Sequence, residues 1–141
     1  MTGYFSGNPK TEWLPDGRTM RVLEDFTFTD QAGKVWLAPA GSLTDGASIP
    51  RALWTAVGGP YEGKYRNAAI VHDVVCQGHT TNEERRAGDR MFKEACLCGG
   101  CTEHEAARLY AGVSVGSLQD ALGDIHASRF PLSAVLDPPS E

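Results

Sequence analysis

His72 and Asp73 place an imidazole and a carboxylate side by side within an apolar run, and Asp89 supplies another carboxylate downstream. An imidazole can act as a general base, a carboxylate is a hard metal ligand, and a further carboxylate can fix the tautomer and orientation of the ring. Together these residue types suggest metal-assisted hydrolysis. The same residues also fit a plainer arrangement, with His72 buried against Asp89 and Asp73 at the surface. Upstream, Thr44-Asp45-Gly46-Ala47-Ser48 reads as a turn, where Gly46 permits positive φ and close backbone approach.

These residues need elements to hold them. From Tyr65 onward, Ala68, Ala69, His72 and Cys76 recur at steps of three and four and share one face of a helix. Thr81-Asn82-Glu83-Glu84 opens a second helix, with Thr81 or Asn82 as cap, that carries Asp89, Phe92 and Cys96 on one stripe and ends at Gly99-Gly100. Thr102-Glu103-His104-Glu105 is a capping box for a third helix, which turns Ala106, Leu109, Tyr110 and Val113 inward. If the first two helices are antiparallel with a turn near residues 79 to 82, facing positions have numbers summing to roughly 161, which sets His72 opposite Asp89.

Ahead of the helices the chain reads as short strands. Arg18 to Leu23 leads to Asp25-Phe26-Thr27-Phe28-Thr29, and Gln31-Ala32-Gly33 turns into Lys34-Val35-Trp36-Leu37, which predicts a small antiparallel hairpin or meander. Ala38-Pro39-Ala40-Gly41 closes this part. The Gly- and Pro-rich stretch from Asp45 to Gly63 reads as a structured loop with a short helix around Arg51 to Val57.

A chain of 141 residues is long enough for one domain with its own hydrophobic core. We expect that domain over residues 1–125 and an extended Pro- and Ser-containing tail over 126–141. The net charge of -5 argues against a nucleic-acid partner, which would call for clustered Lys and Arg. Met1-Thr2-Gly3-Tyr4-Phe5-Ser6-Gly7 has neither a basic nor an apolar leader region, and no apolar stretch approaches the roughly 20 residues of a membrane span. The expectation is a soluble, unprocessed chain that is cytoplasmic when synthesised.

The cysteines compete with the dyad for a metal. Cys76-x-x-His79 and Cys98-x-x-Cys101 have the spacing of a four-ligand structural Zn2+ site, and on this reading the chain is a zinc-stabilised binding domain. The antiparallel geometry opposes it, because it separates Cys76 from Cys98 by on the order of 20 Å along the helix. A triad of Ser48, His72 and Asp89 ranks below both, since Ser48 lacks the glycine-flanked elbow that exposes a nucleophile.

Over about residues 40 to 112 the sequence resembles the phage and bacterial domain-of-unknown-function family 1353. The likeness rests on Pro39-Ala40-Gly41, Thr44 to Arg51, Trp54, Gly59-Pro60, Ala68-Ala69, His72-Asp73, Arg85, Asp89, Phe92 and Tyr110 in order. The skeleton of an Asp-Gly turn, Ala-x-x-His-Asp and Arg-x-x-x-Asp-x-x-Phe is also similar to small prokaryotic secreted phospholipases A2. That second resemblance implies His72 as the base that activates water, Asp89 as its orienting carboxylate, and Ca2+ held by Asp73, Asp45 and the Gly46 carbonyl. It further implies membrane glycerophospholipid as substrate, and a protein that is virion-associated or delivered to a target cell by a phage or secretion apparatus. At one position the chain departs from both families: Cys76 stands where a Tyr usually follows the His by four residues, and a thiol is a weak donor for supporting Asp89. The phage association also admits a non-catalytic structural or assembly protein, with Trp54 and Tyr61 on an interaction loop. The fold expected is α+β, with a small N-terminal antiparallel β-sheet, a phospholipase A2-like antiparallel helix pair and a third helix.

Overall fold

The computed structural model describes residues 3–45, 63–77 and 81–127, with 116–127 as backbone alone. Six short strands are followed by three helices: β1 (Tyr4–Phe5), β2 (Thr11–Trp13), β3 (Met20–Val22), β4 (Phe26–Thr29), β5 (Val35–Ala38), β6 (Leu43–Thr44), then α1 (Arg66–Gln77), α2 (Asn82–Cys98) and α3 (Glu103–Ala127). A 3-10 turn over Gly63–Tyr65 leads into α1. The architecture is α+β.

The expected hairpin forms between β4 and β5, with Phe26 opposite Ala38 and Thr29 opposite Val35. Its turn works through Gly33, whose φ of 89 suits a residue without a Cβ, and through Asp30, which accepts hydrogen bonds from the Lys34 N–H and the Trp36 indole. Alternation does the rest: Phe26, Phe28, Trp36 and Ala38 are buried while Val35 and Leu37 face outward. Phe5 stacks on Phe26 at 5.6 Å between centroids and brings β1 to the other edge of β4.

A single small sheet was expected, and here the structure differs. The strands form two three-stranded antiparallel sheets, ordered β1-β4-β5 and β2-β3-β6. Strands β1, β2 and β6 hold two or three residues each. A segment that short has no measurable period, and the pairings β1 with β4 and β3 with β6 join positions far apart in sequence. The β2-β3 turn is built locally: the Asp16 carboxylate accepts from the backbone of Arg18 and Thr19 and from the Thr19 hydroxyl, and these bonds, the hydroxyl's first, hold its carboxyl down at about 2.

The helices follow the sequence closely. Thr81 caps α2 in a capping box, accepting from the Glu84 N–H while the Glu84 carboxylate accepts from the Thr81 N–H. Thr102 and Glu105 make the same reciprocal pair at α3. Ala106, Leu109 and Val113 are buried, whereas Tyr110 is only half-buried. α1 packs against β4, β5 and β6 on one side and α2 on the other, and α2 in turn packs on α3. No helix among the described residues is long and apolar enough to cross a membrane. The short helix expected around Arg51 to Val57, together with Trp54, Tyr61, Ser48 and the tail beyond residue 127, lies outside the described residues.

Candidate functional site

The site sits in the seam between α1 and α2. His72 and Asp89 meet across it, His72 Nε2 lying 2.8 Å from Asp89 Oδ1, each residue only 1% exposed. This is the pairing that the antiparallel sum of residue numbers predicts. Buried polar groups must find partners or carry the full cost of desolvation, so a dyad this deep holds both side chains in one geometry. Phe92, one turn after Asp89, lays its ring 4.8 Å from the imidazole and tilted by 41°. It walls one face of the ring with apolar surface.

Gly88 lets the helices come close at this level. A Cβ there would meet Val75 Cγ1 at 3.3 Å, tighter than ordinary contact. Glycine in a helix interior costs roughly 1 kcal/mol relative to alanine, and close packing beside the dyad accounts for its use.

Asp73 faces another way. It is 3% exposed, and its Oδ2 accepts hydrogen bonds from the backbone N–H of Asp45 at 3.2 Å and from the Gln77 amide at 3.1 Å. Gln77 also donates to the Leu43 carbonyl at 2.8 Å, which ties the end of α1 to β6. The structure therefore brings the backbone of residue 45 to the carboxylate of Asp73. Gly46 lies outside the described residues. Gln77 was missed in the sequence, although its spacing of four from Asp73 on one helix face was the available signal.

The cysteines separate into different environments. Cys76 Sγ lies 3.5 Å from His72 Nε2 and 3.9 Å from Nδ1, against the imidazole itself. Cys98 donates to the Gly3 carbonyl at 3.2 Å. Cys96 and Cys101 share a thiol hydrogen bond, which together with burial pushes the Cys96 thiol far up and, by stabilising its thiolate, lowers Cys101. Of the four residues with zinc-like spacing, Cys76, Cys98 and Cys101 thus contact different neighbours, and His79 lies outside the described residues.

The family model described as "Protein of unknown function (DUF1353)" matches residues 20–113, a stretch that includes β3 to β6, both seam helices and the start of α3. The chain belongs to this family. Two relatives from Sinorhizobium fredii are similar to it: the uncharacterized protein y4jT, 35% identical over 116 residues, covering 79% of this chain and 33% of the relative, and the uncharacterized protein y4iH, 32% identical over 110 residues, covering 77% and 45%. The chain therefore spans less than half the length of these relatives. No solved structure matches it.

Proposed function

We propose that this DUF1353 domain is a calcium-dependent ester hydrolase of phospholipase A2 type, acting on membrane glycerophospholipids. The observation that carries the reading is the buried His72–Asp89 pair at 2.8 Å, with the neighbouring Asp73 carboxylate drawn to residue 45. An imidazole that donates its Nε2–H to Asp89 keeps its lone pair on Nδ1, the atom that can take a proton from water. Asp89 fixes that tautomer and stabilises the imidazolium once it forms, and Phe92 limits competing solvent at the ring.

The ligands that the resemblance assigns around Asp73 suit a hard cation. Two carboxylates, Asp45 and Asp73, and the Gly46 backbone carbonyl are all oxygen ligands, the type Ca2+ takes, and no soft ligand is among them. When bound there, Ca2+ would supply charge to an ester carbonyl as its oxyanion develops. Delivery by a phage or secretion apparatus is part of the same proposal and rests on the family resemblance.

Calcium titration of metal-stripped protein by calorimetry tests the ligand, and fatty-acid release from phospholipid vesicles tests the chemistry. His72→Ala is expected to lower turnover by at least about a thousandfold while calcium still binds, as loss of a general base that acts in a unit does. Asp73→Asn is expected to weaken calcium at least about tenfold by removing a charged ligand. Hydrolysis retained in His72→Ala would sink the assignment. Calcium binding without any fatty-acid release would instead favour a non-catalytic structural or assembly role.

A further inference from the structure

The thiol beside the dyad is not used by the hydrolase reading, and its position is specific. His72 and Cys76 are four residues apart in α1, so they rise from one face of the helix, while Asp89 reaches the same point from α2. One ligand atom from each, an imidazole nitrogen, a thiol sulfur and a carboxylate oxygen, lies within 4.8 Å of the others. Among the described residues no other such group of His, Cys, Asp and Glu side chains forms.

We propose that His72, Cys76 and Asp89 form a binding site for a thiophilic divalent cation of the Zn2+ class, held by three protein ligands with a fourth position open. Zn2+ binds nitrogen at about 2.0–2.1 Å, sulfur at about 2.3 Å and carboxylate oxygen at about 2.0–2.2 Å in a tetrahedron, which separates nitrogen from sulfur by roughly 3.5 Å and nitrogen from oxygen by roughly 3.3 Å. His72 Nε2 and Cys76 Sγ are 3.5 Å apart, and Nε2 and Asp89 Oδ1 are 2.8 Å apart. The nitrogen–sulfur separation is already that of a ligand pair, but with Nδ1 at 3.9 Å the sulfur lies beside the ring and not along the Nε2 lone pair, so loading the site takes a turn of the Cys76 side chain about χ1 together with a retreat of the carboxylate by about half an ångström.

Charge favours the same occupant. A thiolate and a carboxylate together neutralise a divalent cation, so the loaded seam holds no net charge in a place where an uncompensated one is costly. Binding moves the imidazole proton from Nε2 to Nδ1 and releases the thiol proton to solvent, which makes affinity rise with pH. His72 and Asp89 are buried, but Cys76 is half-buried and gives the ion a side of approach. Phe92 supplies an apolar wall against the ligating ring. The same ion occupies the imidazole that the hydrolase reading needs free, so Zn2+ is an inhibitor of that chemistry where it occurs. The inference does not depend on hydrolysis.

The test is titration of reduced, metal-stripped protein with Co2+, whose thiolate bonds give a charge-transfer absorption in the near ultraviolet, followed by displacement with Zn2+. One Co2+ per chain with that absorption is expected. Cys76→Ser, at a half-buried position and nearly the same size, is expected to keep the wild-type circular dichroism, lose the absorption and bind Zn2+ at least about tenfold more weakly. Cys98→Ser and Cys101→Ser are expected to keep both. Absorption that survives in Cys76→Ser, or disappears in Cys98→Ser or Cys101→Ser, overturns the ligand set, and a wild-type chain that binds no Co2+ overturns the site. Ca2+ binding measured on the same samples reports on Asp73 separately, so either reading can fail alone.

Discussion

Two contacts of nearly equal length sit in different halves of the molecule and do different work. In the sheet formed by β2, β3 and β6, Arg21 meets Glu12 at 2.7 Å with both side chains nearly half exposed. In the α1–α2 seam, His72 meets Asp89 at 2.8 Å with both side chains at 2% or less. Water and salt screen the first pair, so its worth is about 0–1 kcal/mol. The second has no solvent to replace a lost partner, and removing one side leaves a buried polar group unsatisfied. Distance alone says little; burial decides which contact holds structure and which decorates a surface.

The strongest way to break this contrast is Asp89→Ala. It is expected to lower stability by about 3 kcal/mol, read as a shift of the denaturant midpoint at unchanged slope. A loss below about 1 kcal/mol would put the dyad in the class of surface pairs. Next comes the cap that starts α2 and thereby sets the register of Asp89. Thr81→Ala is expected to cost about 1 kcal/mol, and amide exchange should speed up most in the first turn of α2. Uniform protection across α2 would show that packing against α1, and not the cap, fixes the helix start. The smallest change sharpens the other side of the comparison. Glu12→Ala is expected to cost less than about 1 kcal/mol, and raising the salt concentration should shrink the difference from wild type. A larger, salt-insensitive loss would mean that the sheet edge relies on this ion pair far more than its exposure suggests.

The helical half was legible because its signals are local and redundant. Thr81-x-x-Glu84 and Thr102-x-x-Glu105 announce helix starts through chemistry confined to one turn. The spacing of Ala68, Ala69 and His72, and of Asp89, Phe92 and Cys96, marks buried faces. Given two antiparallel helices and a short turn, arithmetic alone brings His72 to Asp89. The β half was less legible: Phe26 and Phe28 alternate with Thr and give away their hairpin, but strands of two or three residues leave no period to read. Their pairing is chosen by partners distant in sequence, such as Phe5 on Phe26 or Gly41 and Ser42 around Val22.

The site divides along the same line. Residue type and spacing determined by themselves that an imidazole and a carboxylate would face each other across a helix pair, since helical geometry is fixed at 3.6 residues per turn and needs no distant information. Only the tertiary structure decided that Cys98 would turn to the Gly3 carbonyl, and that Gln77, beyond its helical contact with Asp73, would reach the Leu43 carbonyl of β6. Those outcomes depend on where β1 and β6 lie against the helices, as the 2.8 Å dyad depends on how close α1 and α2 approach at Gly88. Close approach is a property of packed surfaces, set by every side chain in the seam at once, and no local window of sequence contains it.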